Sequence, residues 1–536
     1  MPQGGIHAVE LVLLLLLVFV VLFAALAQKI KTPYPIVLVI AGLLLSFFPA
    51  IPQIRLNPDV IFLVVLPPLL YSAAWVTSWR EFKFNLVSIC MLAFGLVGFT
   101  VFGVARAAHW IFPAFDWQLG LVLGAVVATT DAIAATSIAK RIGLPKRIVD
   151  ILEGESLLND ASGLLALQFA VALIVSGEKP TLGKSLLELT YLIVAGIALG
   201  LLVALAVEWL ERRVEDGPIE ITISILVPYA VYLAAESIHA SGVLAVVACG
   251  LYLSRKSSEF FSAQVRIQAW AVWDSLTFVL NGLVFMVIGL QLPHVLSALV
   301  GYSLRQLILY GLAFSALLIL LRLLWMFPGA IISYKIRKYV LHQQVSLPGT
   351  RQIFVVGWTG MRGVVALAAA ISLPETLANG QSFPQRDMII FLTFSVILVT
   401  LVLQGLTLPP LIRALGLAGS DAPDCEEGEA RRLMLEAALA HLAAIRSTGN
   451  ADAAEVYDDI EQHYRHRLID LKEEEEDEQD TLHRTHHQLF RDLSRDLLAT
   501  ERSTAIRLRN DGRINDEVLR QLEYEIDLSE TRLSHG

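Results

Sequence analysis

Long apolar segments separated by short polar loops repeat along the first 415 residues of the chain. A helix that crosses the ~30 Å hydrocarbon core of a bilayer needs about 20 apolar residues, because it rises about 1.5 Å per residue. About thirteen segments meet this requirement, or twelve if the eighth and ninth, separated only by the neighbourhood of His239, form one. The segments are residues 8–27, 35–51, 59–76, 85–111, 118–139, 149–176, 185–209, 220–237, 240–254, 269–291, 303–333, 352–374 and 387–413. The pattern predicts an all-α polytopic membrane protein.

The loops between these segments alternate in charge. The loops on one side hold 17 Lys and Arg residues, whereas those on the other side hold five. Cytoplasmic loops of membrane proteins carry the excess of Lys and Arg. We therefore expect a multi-pass protein of the cell (inner) membrane, surrounded by lipid, with its N-terminus outside and its C-terminal tail in the cytoplasm.

Composition supports this assignment and excludes other classes. The chain is 55% hydrophobic and 17% charged, with a mean hydropathy of +0.63, whereas soluble domains are about 25% charged. A soluble enzyme is therefore excluded. No HExxH, GxSxG, phosphate-loop or CxxC motif occurs, so we expect neither an enzyme nor a cofactor.

The chain changes character after residue 415. From Ser420 onward it holds 15 basic and 29 acidic residues, a net charge of −14. Residues 429–445, 451–470 and 481–508 have helical patterns, and residues 473–480 are almost entirely acidic. We expect a transmembrane domain over residues 1–415 and an acidic, helical, regulatory tail over residues 416–536. The absence of a basic stripe argues against a nucleic-acid partner.

Ionisable residues are concentrated in the sixth apolar segment, where each costs at least ~2.5–3.5 kcal/mol to insert. Helical spacing puts Ser156 and Asp160 on one face and Glu155 and Asn159 on another. A hydroxyl and a carboxylate on the same face provide oxygen ligands for a small dehydrated cation. The second face requires a cationic or hydrogen-bonding partner.

The fifth and twelfth segments also carry polar residues at membrane depth. Thr130 and Asp131 interrupt the fifth segment, and three glycines surround Arg362 in the twelfth. Interrupted membrane helices expose backbone groups and dipole ends that hold charge. The separation of the two interruptions predicts two inverted repeats, each of which supplies one broken helix. Arg322, in the eleventh segment, is expected to reach the interface or to pair locally.

Five motifs occur in a fixed order between residues 31 and 411. They are Leu66-Pro67-Pro68-Leu69-Leu70, Thr130-Asp131, Glu155-Ser156-Leu157-Leu158-Asn159-Asp160, Val284-Phe285-Met286 with Gly289, and Gly360-Met361-Arg362-Gly363. With these motifs the chain resembles the monovalent cation/proton antiporter family of the cation:proton antiporter-1 type, which includes bacterial sodium/proton exchangers. The string at residues 155–160 is the most specific of the five.

The resemblance implies a role for each matching residue. Asp160 would carry the cation and the proton, and Asn159 would precede it as in electroneutral members. Ser156 and Thr130 would add oxygen ligands to the transported Na⁺. The supporting residues would be Asp131, Glu155 and Arg362: Asp131 would stabilise the crossing of the broken helices, and Arg362 would neutralise Glu155. Members of the family form homodimers and move a core domain against a dimer scaffold.

The chain departs from the family pattern at two informative positions. Ser72 stands where many members have an acidic residue, which removes one cation ligand. Ala132 replaces the proline that often follows the aspartate of the fifth segment, so the break there is expected to be less sharp.

These observations predict a secondary active transporter that exchanges Na⁺, or alternatively Li⁺ or K⁺, for H⁺ by alternating access. Asp160 would bind cation and proton in competition. Two alternatives remain: a K⁺/H⁺ antiporter of the same fold, and a cation channel gated by the acidic tail.

Overall fold

The structure is a computed structural model. It describes residues 4–48, 56–176, 182–299, 301–377, 381–419, 423–448, 456–462, 464–465, 467–468, 481–511, 513 and 516–535. The secondary structure of these residues is helical, apart from one isolated bridge between Thr376 and Ser382. The chain forms two compact units, Met1–Asp421 and Ala422–Gly536.

The first unit is a bundle of helices that we number in chain order. They are α1 (Gly4–Lys29), α2 (Tyr34–Leu45), α3 (Pro58–Val76), α4 (Trp79–Ile111), α5 (Trp117–Val126), α6 (Ile133–Ile142), α7 (Lys146–Ser176), α8 (Leu182–Glu211), α9 (Gly217–Ser237), α10 (Gly242–Phe260), α11 (Ala263–Leu290), α12 (Leu292–Ser297), α13 (Leu304–Val340), α14 (Thr350–Trp358), α15 (Val364–Ile371) and α16 (Arg386–Ala414). Four of these helices contain a π-helical segment, at Ile61–Val65, Met91–Leu96, Ile336–Val340 and Thr400–Gln404.

Most of the helices have the length and composition of membrane spans. Within the described residues, nine are long and apolar enough to cross a bilayer, and α2 and α5 are shorter apolar helices. Large apolar side chains such as Leu22, Leu202 and Leu309 point outward, which suits a surface in contact with lipid rather than water. The predicted class, an all-α polytopic membrane protein, is confirmed. The count of thirteen spans and the inverted repeats stay predictions.

Two spans are interrupted as the sequence predicts. Residues 127–132 separate α5 from α6, and residues 359–363 separate α14 from α15. Capping interactions at the start of α5 and the end of α6 help to fix the first of these interrupted spans. The Asp116 carboxylate accepts a hydrogen bond from the amide of Leu119 at the start of α5 (2.8 Å). Gly143 ends α6 in the left-handed conformation (φ +71°), which glycine adopts without steric cost.

The second unit contains α17 (Pro423–Thr448), α18 (Thr481–Asn510) and α19 (Asp516–His535). The predicted helices at 429–445 and 481–508 lie within α17 and α18. Part of the predicted helix at 451–470 and the acidic run at 473–480 fall outside the described residues. Arg502 of α18 donates hydrogen bonds to Glu530 and Asp527 of α19, and these carboxylates raise the pKa of the guanidinium.

Candidate functional site

Helix α7 carries the polar string 155–160 against the break between α5 and α6. Ser156 Oγ donates a hydrogen bond to the carbonyl of Thr130 (3.1 Å) and accepts one from the amide of Ala132 (3.3 Å). Asn159 Nδ2 donates to Oγ1 of Thr130 and to its carbonyl (3.4 Å). Two side chains of α7 therefore satisfy backbone groups that the interrupted helix exposes.

The two broken segments meet at Asp131. Its amide donates to the carbonyl of Met361 (2.9 Å), and its carboxylate accepts from the amide of Ile133 (2.8 Å), at the start of α6. Gly363 is packed so closely that an added Cβ would lie 2.3 Å from Oδ2 of Asp131. The breaks in the fifth and twelfth spans are thus in direct contact at Asp131.

Arg362 binds carbonyl groups rather than a carboxylate. Its Nε donates to the carbonyl of Val127 and its Nη1 to that of Gly360, both at 2.7 Å. Its backbone amide donates to Oγ1 of Thr400 (3.1 Å). The buried guanidinium therefore links the two breaks through carbonyls that no longer belong to a regular helix.

The expectation that Arg362 pairs with Glu155 is wrong. Glu155 forms a two-pronged ion pair with Arg322 of α13, with Nη1–Oε1 and Nη2–Oε2 distances of 2.5 and 2.9 Å. Thr130 Oγ1 adds a third hydrogen bond to this carboxylate (3.1 Å). Both charged side chains are only 2% exposed. Arg322, which the sequence assigned to the interface or to a local pair, is the residue that neutralises Glu155.

Asp160 differs from Glu155 because its carboxylate has no hydrogen bond or ion pair in the part of the chain that the structure describes. It lines a cavity of about 410 Å³ enclosed by residues of α2, α3, α6, α7, α9, α11 and the two breaks. The charged residues along this cavity are Asp131, Lys140, Glu153, Asp160 and Asp274. Four carboxylates against one lysine give the lining a formal charge of −3, and a cavity of one sign concentrates counter-ions.

The predicted site residues divide between this cavity and the protein interior. Asp160, Ser156, Thr130 and Asp131 line the cavity, as does Ser72, whose hydroxyl accepts a hydrogen bond from Thr277 (3.3 Å). Asn159, Glu155 and Arg362 are buried away from the cavity.

The sequence marks Asp274 and Glu153 as ionisable residues within or close to predicted spans, but it assigned no site role to Asp274 or to the Lys140–Glu153 ion pair (2.8 Å), which lie on the cavity wall. An isolated Asp in the apolar α11 was the available signal for Asp274.

An acidic cavity where two broken membrane helices meet is typical of a membrane transporter for cations. The chain belongs to the sodium/hydrogen exchanger family, because the transmembrane model of that family matches residues 14–414. The family consists of transporters rather than enzymes. The resemblance inferred from the motifs is confirmed, and the protein is a multi-pass membrane protein.

Individual relatives match over most of the chain. A sodium/proton exchanger of Mycobacterium tuberculosis (strain H37Rv) is 33% identical over 536 residues, covering 99% of this chain and 97% of that protein. A sodium, potassium, lithium and rubidium/proton antiporter of Bacillus pumilus is 33% identical over 452 residues, covering 82% of this chain and 66% of that protein. The sodium/proton antiporter MjNhaP1 of Methanocaldococcus jannaschii, solved at pH 8, has the same fold, with a TM-score of 0.61, 20% identity and coverage of 76% and 99%.

Proposed function

We propose that the protein exchanges Na⁺ for H⁺ by alternating access, and that Asp160 carries both ions in competition. The observation that carries this proposal is the unpaired carboxylate of Asp160 on a cavity with a formal charge of −3. A buried carboxylate without a partner is unfavourable. Binding either a proton or a cation removes that penalty, so the site favours two loaded states over the empty one.

The hydroxyls of Ser156 and Thr130 on the cavity wall each have one lone pair that no described hydrogen bond uses. The protons of Ser156 and Thr130 are already donated, to the carbonyl of Thr130 and to Glu155 respectively. Each oxygen also accepts one hydrogen bond, from Ala132 and Asn159 respectively. One lone pair remains on each hydroxyl oxygen. We infer that these lone pairs complete the Na⁺ site, and that Asn159 acts by orienting Thr130 rather than by binding the ion.

Hydrogen bonds join the two breaks and α7 to one another. Asp131 and Arg362 donate to backbone carbonyls of the breaks, and Ser156 and Asn159 of α7 donate to the carbonyl of Thr130. We therefore expect the broken segments and α7 to move as one body. We propose that the transporter works as a homodimer in the cell (inner) membrane, with its N-terminus outside and the acidic tail in the cytoplasm. The tail would regulate transport and not form part of the ion pathway.

K⁺ is a second candidate substrate because the Bacillus pumilus relative is a sodium, potassium, lithium and rubidium/proton antiporter. Ser72 supports exchange of several alkali cations. A carboxylate at this position would favour the cation of higher charge density, whereas the Ser72 hydroxyl provides a neutral ligand.

Flux through purified full-length protein in sealed liposomes tests the proposal. An imposed Na⁺ gradient should move protons, and Li⁺ and K⁺ gradients then rank the ions. Asp160→Asn should abolish the signal while the protein remains folded and inserted. Asp59→Asn is the matched control, because Asp59 is exposed and does not line the cavity of Asp160, and it should transport normally. Retained Na⁺-dependent proton flux in Asp160→Asn would refute the role of Asp160. Na⁺ conductance without proton movement would favour the tail-gated channel.

A further inference from the structure

Helix α13 carries a second buried arginine, Arg337, 15 residues after Arg322. Arg337 is 2% exposed and donates through Nε to Oε1 of Gln343 (2.8 Å). Its Nη1 contacts Oδ1 of Asn85 and Oγ of Ser88, each at 3.4 Å. The guanidinium also lies 4.5 Å from the ring centre of Phe84. All four of these partners are neutral.

The charge of Arg337 is therefore not compensated within the described residues. Its Nη2 is buried and has no hydrogen-bond partner there. Arg147 of α7 also carries a positive charge and repels it. Arg322, on the same helix, shows the usual solution, because it is neutralised by a carboxylate at two oxygens. Burying an unpaired charge is costly unless a bound counter-ion completes the arrangement.

A cavity of about 390 Å³ lies against the two arginines. Ser88, Tyr334 and Gln352 supply hydrogen-bonding groups to its wall. No Asp or Glu lines the cavity within the described residues, and none of its lining residues belongs to the cavity of Asp160. The two cavities thus have opposite charge and separate walls.

We propose that this second cavity binds a phosphate-type oxyanion, held by Arg337 and Arg147, either free in solution or as the head group of an anionic phospholipid. Guanidinium groups recognise such anions because their planar N–H groups match a pair of oxygens. Arg337 lines this cavity, and its side-chain hydrogen bonds go only to the neutral groups of Gln343, Asn85 and Ser88. Arg147 is half-buried at the cavity and provides the second positive charge.

The proposal does not rest on the transport function, because the anion would bind outside the cavity of Asp160. It explains how two arginines that repel each other are accommodated in one cavity. It also predicts that an added anion stabilises the folded protein, since a ligand that binds only the native state shifts the unfolding equilibrium.

Thermal unfolding of delipidated, full-length protein in detergent provides the test. N-methylglucamine phosphate is compared with N-methylglucamine chloride at equal ionic strength and pH, which avoids the transported cations. Phosphatidylglycerol is compared with phosphatidylcholine in mixed micelles. We expect phosphate or phosphatidylglycerol to raise the Tm by about 2 °C or more. A response to phosphate identifies a free anion, and a response to phosphatidylglycerol alone identifies a lipid head group.

Three variants decide whether the response belongs to this cavity. Arg337→Gln should remove it, whereas Arg106→Gln should keep it, because Arg106 is exposed and stacks on Trp110. Arg147→Glu places a carboxylate beside Arg337. That variant should have a higher Tm without added anion and no longer respond, which keeps the test decisive if Arg337→Gln does not fold. The proposal is overturned if neither probe raises the wild-type Tm, or if Arg147→Glu responds as the wild type does.

Discussion

Two carboxylates on α7 differ in whether a partner compensates their buried charge. Glu155 is neutralised by Arg322 and receives a further hydrogen bond from Thr130. Asp160, five residues along the helix, has no such partner within the described residues and faces a cavity. A satisfied carboxylate has nothing to exchange, whereas an unsatisfied one needs a mobile ion. The comparison separates a residue that holds the bundle together from one that is suited to bind the transported ion.

The largest stability effect is expected at the Glu155–Arg322 pair. Glu155→Gln or Arg322→Gln leaves one buried charge uncompensated, which costs ~3–5 kcal/mol of unfolding free energy. The double variant should cost less than the sum of the two. Glu153→Gln is the matched control, since its partner Lys140 is 56% exposed and such pairs contribute less than about 1 kcal/mol. Chemical denaturation in detergent measures all four. Strict additivity would show that the ion pair does not stabilise the fold.

The crossing of the broken segments is the next target. Gly363→Ala places a Cβ 2.3 Å from Oδ2 and 2.5 Å from Cβ of Asp131, so Asp131 must move. Overpacking of this kind costs about 1–3 kcal/mol, and we also expect a loss of ion exchange. Gly98→Ala is the control, because nothing lies within 4 Å of its added methyl group. Helix propensity predicts that this control is neutral or stabilising. Equal behaviour of the two variants would contradict the close contact at Asp131.

Ser156→Ala should have a comparable effect on stability and a narrower effect on transport. It removes two hydrogen bonds to the broken segment, which together contribute about 1–3 kcal/mol. It also removes a proposed Na⁺ ligand, so the half-saturating Na⁺ concentration should rise. Ser372→Ala is the control, since its hydroxyl binds only a carbonyl of its own helix (2.9 Å). An unchanged Na⁺ dependence would remove Ser156 from the ion site.

The smallest effect is expected from removing the tail. Deletion of residues 420–536 should leave exchange intact and move its pH midpoint to lower pH. The reason is electrostatic: a segment with a net charge of −14 raises the local proton concentration, although screening limits this to about 8 Å at physiological salt. The seven tail histidines give a second route, because imidazole is the side chain that ordinarily changes charge nearest to neutral pH. Flux measured from pH 5.5 to 8.5 tests this. A truncated protein that folds but does not transport would make the tail essential.

The helices and their interruptions were predictable because they follow from local rules. Apolar length identifies membrane helices, and polar residues at membrane depth, such as Thr130 and Asp131, mark the places where a helix breaks. Helical spacing also separated the two faces of α7. Ser156 and Asp160 line the cavity, whereas Glu155 and Asn159 both contact Thr130.

The pairing of charges was not predictable from the same rules. A buried arginine needs a partner, but the sequence does not say which neighbouring helix provides it. Arg362 lies in a broken segment where free carbonyls are available, so it needs no carboxylate. Arg322 lies in a continuous helix, and it is satisfied by Glu155 together with the carbonyls of Val356 and Gly357 on α14. The assignment therefore depends on three-dimensional packing of α7, α13 and the breaks.

Proton release on Na⁺ binding tests the central claim most directly. Na⁺ is added to purified protein in weakly buffered detergent solution at a pH where the site is protonated, and the released protons are counted with a pH indicator. Competition at Asp160 predicts one proton released per Na⁺ bound by the wild type and by Asp59→Asn, and none by Asp160→Asn. Release from folded Asp160→Asn equal to that of the wild type would contradict the account.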